Sequence, residues 1–104
     1  MDLKQLEALV CVAEEGSFSR AAQRLHLTQP TVSSRIGSLE QELGIRLLQR
    51  PTPVLTEAGT LLCRQAREML ALRDQALRAI QGLSRQARGT VSVAASPGPG
   101  QYFL

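Results

Sequence analysis

The sequence predicts a mainly α-helical chain in which three short helices precede one long helix. Apolar residues recur at spacings of three and four along most of the chain, which is the period of an amphipathic helix. Capping residues and glycines stand where these helices would begin and end. Aromatic residues make up only 3% of the 104 residues, so the core must be built mainly from Leu, Val, Ile and Ala. This length predicts one domain, or one domain with an appendage.

The first two predicted helices are short and amphipathic. In the first, apolar residues three and four positions apart form one face, which consists of Leu3, Leu6, Leu9, Val10 and Ala13. Gly16 is expected to end this helix. Ser17 is a good N-cap for the second helix, which would run to Leu25 with Phe18 as an apolar anchor near its start.

The third helix is predicted to begin at a proline-containing turn. Thr28 can cap it, and Gln29 and Pro30 would lie in its first turn, where proline loses no hydrogen bond. One face is apolar and consists of Val32, Ile36, Leu39 and Leu43. The other faces carry Thr31, Ser33, Ser34, Arg35 and Ser38. Gly44 is expected to close the helix.

A small β-hairpin is predicted after the third helix. Residues 45–50 (IRLLQR) and 53–56 (PVLT) have the composition of two short strands around a Pro-Thr-Pro turn. Prolines suit a turn or the edge of a sheet, because they cannot donate to a central ladder.

A long fourth helix is predicted from Glu57 to about Gln86, with Thr56 as its cap and a length of ~45 Å. Its apolar residues alternate steps of four and three, as in a heptad seam with Arg73 as the misfit. The seam consists of Leu62, Ala66, Met69, Arg73, Ala76, Ile80 and Leu83. A domain of roughly 55 residues cannot cover so long a stripe, so we expect a second copy to cover it in a homodimer or higher oligomer. The alternative is that part of the stripe packs on the chain's own first helix.

The end of the sequence differs from the rest. Gly89 ends the helical pattern, and "TVSVAAS" then alternates like a β-strand before "PGPG". A single strand without a partner is not a finished structure. Residues 89–104 are therefore expected to be the start of a further domain, in a piece of a longer protein or in a truncated gene product.

Charge is segregated along the sequence. The formal net charge is +3, yet residues 16–39 contain no Asp or Glu while they hold Arg20, Arg24 and Arg35. One interpretation is a surface that faces a polyanion. The other is chance clustering on a solvated face.

The second and third predicted helices, joined by a tight turn, have the arrangement of a helix-turn-helix. The major groove of DNA is about 12 Å wide, so a helix inside it needs small side chains at the contact. Thr31, Ser33 and Ser34 would allow close approach. Gln29 has the amide geometry for adenine, and Arg35 can contact guanine or a phosphate. Because helical bundles can mimic this pattern, the rival interpretation is a helical dimerisation or protein-interaction module that does not bind DNA.

The segment "GSFSRAAQRLHLTQPTVSSRIGSLEQELGIRLLQR", followed by "LTEAGTLL", closely resembles the N-terminal winged helix-turn-helix domain of LysR-type transcriptional regulators. The resemblance implies a DNA-binding domain over residues 1–58, with its helix-turn-helix motif over 18–37. It also implies a linker helix for dimerisation over 57–88 and a truncated effector-binding domain over 89–104. The implied function is sequence-specific transcription regulation by a dimer whose recognition helix, residues 29–42, binds the major groove.

The resemblance further implies which residues contact DNA. The start of the family's recognition helix is matched by Gln29, Pro30, Thr31, Ser33, Ser34 and Arg35. Ser17 and Arg20 match the phosphate-facing start of the preceding helix, and Thr28 is the cap between the two.

This chain departs from the family pattern in three places. Leu47-Leu48 stands where Leu-Phe is usual, and the hairpin loop is shorter, with Pro51-Thr52-Pro53 where basic residues are common. Arg46 and Arg50 are left to contact DNA there, so we expect weaker clamping of the DNA backbone than in a typical member of the family. Gly37 replaces a frequently basic residue and costs about 1 kcal/mol of helix propensity relative to Ala.

No enzyme activity, metal site or cofactor is expected. His26 is the only histidine and has no second ligand nearby, which favours a role on the surface of a turn. Cys11 and Cys63 lie in apolar helical stretches, which favours buried, inert thiols over a redox sensor. No stretch approaches the ~20 apolar residues of a membrane span, and a signal-peptide pattern is absent. The expectation is a bacterial, cytoplasmic protein whose partners are double-stranded DNA and a second copy, with no small-molecule effector for this fragment.

Overall fold

The computed structural model describes residues 1–89, with side chains as far as Arg85. It contains four helices in this part of the chain, in the order α1 (Leu3–Glu15), α2 (Phe18–Leu25), α3 (Gln29–Leu43) and α4 (Glu57–Gly89). The predicted mainly helical fold class is therefore confirmed. The predicted strand TVSVAAS lies outside the described residues.

Each of the first three helices begins with a capping side chain. The first backbone N–H groups of a helix lack partners within it, and the cap accepts a hydrogen bond from one of them. Ser17 Oγ accepts from the backbone N–H of Arg20 at 3.2 Å, as predicted. Thr28 Oγ1 accepts from the N–H of Thr31 at 3.3 Å, and Pro30 lies in the first turn of α3, again as predicted. At α1 the cap is Asp2, which forms a reciprocal capping box with Gln5 that sequence reasoning had not identified.

Left-handed residues end the same three helices. Gly16 and Gly44 have φ values of 68° and 69°, a conformation that glycine adopts without steric cost. His26 ends α2 with φ 58° although it is not glycine, and its N–H bonds to the carbonyls of Ala22 and Gln23. His26 is exposed at this turn, in agreement with the predicted surface role.

One hydrophobic core joins α1, α2, α3 and the start of α4. From α1 it takes Leu6, Ala8, Leu9, Val10, Cys11 and Val12, and from later elements Ala21, Ala22, Val32, Ile36, Leu39, Leu47, Leu48, Cys63 and Ala66. Three of the four residues predicted for the inner face of α3 are fully buried, but Leu43 is 42% exposed because it is the last residue of the helix. Both cysteines are buried, and burial raises the pKa of each thiol.

The segment predicted as a two-stranded hairpin, residues 45–56, is here called the wing. Its pairing is reduced to one antiparallel bridge between Leu48 and Leu55. Two backbone hydrogen bonds flank the bridge, from Gln49 N to the Val54 carbonyl at 2.8 Å and from Thr56 N to the Leu47 carbonyl at 3.0 Å. The predicted strands do not extend further because the tip is a Pro-Thr-Pro turn, in which two residues have no N–H to donate.

The start of α4 packs directly on the base of the wing. Thr56 caps the helix by accepting from Gly59 N at 3.0 Å, and its hydroxyl donates to the Arg46 carbonyl at 2.6 Å. Gly59 is buried at this junction, and an added Cβ would collide with the carbonyl oxygen of Leu47. Only glycine therefore lets the helix approach the wing this closely.

Candidate nucleic-acid interface

The first turns of α3 present small polar side chains to solvent. Gln29, Pro30, Ser33 and Ser34 are exposed, and Thr31 and Arg35 are half-buried. Opposite them on the same helix, Val32 and Ile36 are fully buried, which holds the exposed face in a fixed direction. A slim, rigid, polar face of this kind has the dimensions that a major groove accepts.

Two of the predicted contact residues bond to each other. The hydroxyls of Thr28 and Thr31 lie 2.8 Å apart, while Thr28 also caps the helix. Ser33 and Ser34 make no side-chain hydrogen bond within the described part of the chain, so their hydroxyls are available to a ligand.

A bond between α2 and α3 orients the first residue of the predicted recognition helix. Ser19 Oγ donates to Gln29 Oε1 at 3.0 Å, and both side chains are exposed. Among residues 1–85 the amide nitrogen of Gln29 has no hydrogen-bond partner, so it remains a free donor. Sequence reasoning missed Ser19, because nothing in the spacing of two exposed polar residues ten positions apart indicates a contact.

The predicted phosphate contacts at the start of α2 are partly engaged by an acidic residue. Ser17 is half-buried as the helix cap, and Arg20 is 65% exposed along its side chain. Arg20 Nη2 donates to the Glu15 carbonyl at 2.7 Å, and its Nε lies 3.9 Å from the Glu15 carboxylate. The absence of acids from residues 16–39 therefore does not keep acids away from this end of α2 in space.

An ion-pair cluster that includes Glu15 and the last turn of α2 joins α1, α2 and α4. Arg24 lies 2.7 Å from the carboxylate of Glu14 and 3.3 Å from that of Glu15, and Arg67 of α4 lies 3.4 Å from Glu14. The hydrogen bond from Arg24, with that from Arg67, holds the pKa of Glu14 below its ordinary value. Arg24 thus has a structural partner, and the arginines without partners lie elsewhere.

The remaining predicted cations divide into two kinds. Arg35 on α3 and Arg46 in the wing have no ion-pair or hydrogen-bond partner for their side chains among residues 1–85. Arg50 is instead held by Glu40, at 3.5 Å, and by the Leu48 carbonyl, at 3.1 Å. Its guanidinium carbon also lies 5.3 Å from the centroid of the Phe18 ring, which is the geometry of a cation–π contact.

The residues predicted for a dimer seam differ in exposure, since some are buried in the chain's own core and others face solvent. Ala66 is fully buried in the chain's own core and Leu62 packs against it, so we remove Ala66 from the proposed seam. Arg73 bonds to the neighbouring Asp74 at 3.1 Å. The exposed members are Met69, Ala76, Ile80 and Leu83. Leu72, next to the misfit Arg73, is a further exposed apolar residue of α4, with 65% of its surface exposed.

The described part of the chain lacks two structural features that mark other classes of protein. None of its helices is long and apolar enough to cross a membrane. It contains no group of three or more His, Cys, Asp or Glu placed to hold a metal ion.

Residues 3–60 match the family described as "Bacterial regulatory helix-turn-helix protein, lysR family". An uncharacterized HTH-type transcriptional regulator in the ibpB-leuC intergenic region of Azotobacter vinelandii is 46% identical over 106 residues, which cover 100% of this chain and 74% of that protein. A probable RuBisCO transcriptional regulator of Porphyra purpurea is 39% identical over 104 residues, covering 98% of this chain. This chain spans about a third of the length of that regulator, 33%.

Solved structures of similar chains include complexes with DNA. The BenM_DBD/benA site 1 DNA complex has a TM-score of 0.75 and 36% identity, and covers 81% of this chain and 97% of that one. Full-length CbnR complexed with its target DNA has a TM-score of 0.72 and 35% identity, and covers 78% of this chain and 29% of CbnR.

Proposed function

This chain belongs to the lysR family of bacterial regulatory helix-turn-helix proteins, and we propose that it recognises specific sequences in double-stranded DNA as the DNA-binding part of a transcriptional regulator. The observation that carries the proposal is the exposed start of α3, where small polar side chains lie opposite a fully buried apolar face. Placed in the major groove, this face brings hydroxyls and one amide to the edges of the bases. Since its relatives are transcriptional regulators, no enzyme activity is proposed for it.

Base reading is assigned to four residues of α3. Gln29 offers its free amide nitrogen to an acceptor such as adenine N7, because its oxygen already accepts from Ser19. Ser33 and Ser34 bond to base edges or phosphates, and Arg35 reaches guanine or a phosphate. Pro30 and Thr31 lie beside these residues and contribute apolar contact, Thr31 through its methyl group.

Phosphate contacts are assigned around this reading face. Ser17, Thr28 and Arg20 lie at the starts of the two helices, where unpaired backbone N–H groups favour an anion. Arg46 supplies a cation from the wing whose side chain has no partner in the described part of the chain. Because each phosphate neutralised releases counterions, affinity must fall as salt rises.

A second copy of the chain is the proposed partner of α4. Within residues 72–85 the exposed apolar side chains include Leu72, Ala76, Ile80 and Leu83, spaced four, four and three apart. Such a stripe on one helix requires a partner helix. A two-fold dimer would place two reading helices on half-sites about one or more helical turns apart.

The dimer is tested by sedimentation. We expect the parent chain to sediment as a dimer at micromolar concentration, and Ile80→Asp to shift it towards monomer because a charge would be buried in the seam. Arg78→Asp is the matched control, since Arg78 is exposed and lies off the stripe. A parent chain that is monomeric throughout this range would contradict the proposed seam.

DNA binding is tested in two stages. Duplexes that the chain binds are first selected from a randomised library. Fluorescence anisotropy then compares the affinity for a selected duplex with that for a random duplex at two salt concentrations. The proposal predicts preference for the selected duplex and affinity that falls steeply with salt. Binding that is undetectable, or insensitive to salt, would instead support a protein-interaction module.

A further inference from the structure

We propose that Arg50 is a positioning residue, held by Glu40 and Phe18, and that this contact fixes the wing beside the reading helix. The proposal rests on the proposed DNA-binding function and deepens it. It separates the two wing arginines that the sequence leaves equivalent: Arg46 contacts DNA, and Arg50 places the wing that carries Arg46. The set Glu40, Arg50 and Phe18 is here called the brace.

Glu40 is the centre of the brace. It lies on α3 within the recognition helix, yet its side chain is only 12% exposed. Its Oε2 accepts from the backbone N–H groups of Leu47 at 2.8 Å and Leu48 at 3.1 Å, at the point where the chain enters the wing. Because both residues are buried, these N–H groups would otherwise be left unpaired away from water, which is costly.

Arg50 completes the brace from the other end of the wing strand. Its Nη2 lies 3.5 Å from Glu40 Oε1, and its Nη1 donates to the Leu48 carbonyl at 3.1 Å. Its guanidinium carbon lies 5.3 Å from the ring centroid of Phe18, the first residue of α2. One planar cation thus contacts α2, α3 and the wing, which is the kind of site where arginine cannot be replaced by lysine.

Withdrawing Arg50 to a phosphate would break this arrangement. The Glu40 carboxylate would remain largely buried without its cation, and an unpaired buried charge is strongly destabilising. The geometry therefore favours Arg50 staying in place while DNA is bound. Arg46 has no such tie: its side chain is exposed and partnerless within the described residues, and only its carbonyl is fixed, by Thr56.

The brace predicts the direction in which DNA affinity changes when the negative charge of Glu40 is removed. Removing a negative charge from a DNA-binding domain ordinarily strengthens binding, because phosphates are repelled less. If Glu40 positions the wing, removing its charge weakens binding instead. A carboxylate that acted only as a charge near DNA would give the opposite direction.

The experiment compares Glu40→Gln with Glu42→Gln, a second carboxylate on α3, which pairs with the N-terminal amine. Glutamine keeps an oxygen that can accept from Leu47 and Leu48, but loses the charge that holds Arg50. We expect Glu40→Gln to bind the selected duplex roughly two- to tenfold more weakly than the parent. Glu42→Gln should bind it as tightly or more tightly. If Glu40→Gln binds as tightly as the parent or more so, the proposal is overturned.

A double-mutant cycle then tests whether Glu40 and Arg50 act together. We expect Glu40→Gln and Arg50→Gln to be non-additive, since either change releases the same contact. Glu40→Gln and Arg46→Gln are the comparison pair, and their effects should be closer to additive because they break different contacts. Arg50→Lys should fail to restore parental affinity under the proposal, whereas a phosphate contact would be largely kept by lysine. Additive effects, or full rescue by lysine, would overturn it.

Hydrogen exchange of the free protein separates this proposal from the proposed function. Glu40→Gln and Arg50→Gln should both speed exchange at the wing amides of Gln49 and Thr56, which bond to Val54 and Leu47. They should leave the amides in the middle of α1 unchanged. Unchanged wing exchange overturns the brace even if the chain binds DNA. Failure of the parent to bind any duplex overturns the proposed function, whatever the exchange shows.

Discussion

The start of α3 and the wing are both assigned to DNA, but they are held in place in different ways. The start of α3 is fixed by the local cap of Thr28 and by Val32 and Ile36, whose helical spacing directs them into the core formed with the other helices. The wing has a single bridge and depends on distant groups, namely Glu40 on α3 and Gly59 on α4. A local cap can be recognised in a sequence, whereas contacts between elements require the fold.

The largest expected effect is at the junction of the wing with α4. Gly59→Ala should destabilise the chain by roughly 1–3 kcal/mol, because its Cβ would collide with the Leu47 carbonyl and crowd Leu55. Gly37→Ala is the control, since a Cβ there meets open space and should stabilise by about 1 kcal/mol through helix propensity. Urea unfolding measures both. Equal stability of the two variants would show that the wing does not need the close approach.

The next effect concerns base reading by α3. Gln29→Ala and Arg35→Ala should each reduce discrimination between selected and random duplexes by ~1–3 kcal/mol, because each removes the side chain that bonds to a base edge. Arg46→Ala should weaken binding to both duplexes about equally and lower the salt dependence, as expected for a phosphate contact. Anisotropy titrations at several salt concentrations measure both quantities. If Gln29→Ala and Arg35→Ala discriminate as the parent does, the reading face has been wrongly assigned.

A smaller effect is expected at the cap of the reading helix. Thr28→Ala should lower the free energy of unfolding by ~1 kcal/mol, because Thr31 N–H loses its acceptor. Thr28→Ser keeps the hydroxyl and should differ little from the parent. Thermal or urea unfolding distinguishes them. Should the serine variant be as unstable as the alanine variant, the methyl group of Thr28 rather than its hydroxyl would be the stabilising feature.

The smallest effect is expected at Ser19. Ser19→Ala removes the bond that orients Gln29 and should reduce discrimination by ~0.5 kcal/mol, a small value because the bond is exposed to water. In the Gln29→Ala background the same change should have no effect, since its target is gone. The salt dependence should stay at the parental value. A lowered salt dependence would mean instead that Ser19 contacts a phosphate itself.

The sequence predicted the features that depend on neighbouring residues. The caps at Ser17 and Thr28, the role of Pro30 and the buried face of Val32 and Ile36 were all correct. The helix-turn-helix and its family followed from the same segment.

The features that the sequence did not predict share a physical cause. Each depends on which secondary-structure elements contact one another in the fold. Ala66 fits a heptad seam by spacing but faces the chain's own core, because periodicity does not say which partner a face meets. Glu40 and Arg50 are ten residues apart on different elements, and Ser19 and Gln29 lie on different helices. The wing strands are shorter than predicted, because the Pro-Thr-Pro tip leaves few backbone donors to extend the pairing beyond the bridge of Leu48 with Leu55.

The burial of both cysteines has a practical consequence for observing this domain. Cys11 and Cys63 are 3% and 1% exposed, and burial raises the pKa of each thiol, so little thiolate is accessible to a maleimide at neutral pH. A fluorophore can therefore be attached to a single cysteine introduced at Thr52, on the exposed wing tip, while both native thiols are retained. Such a probe would report the approach of the wing to a duplex in real time.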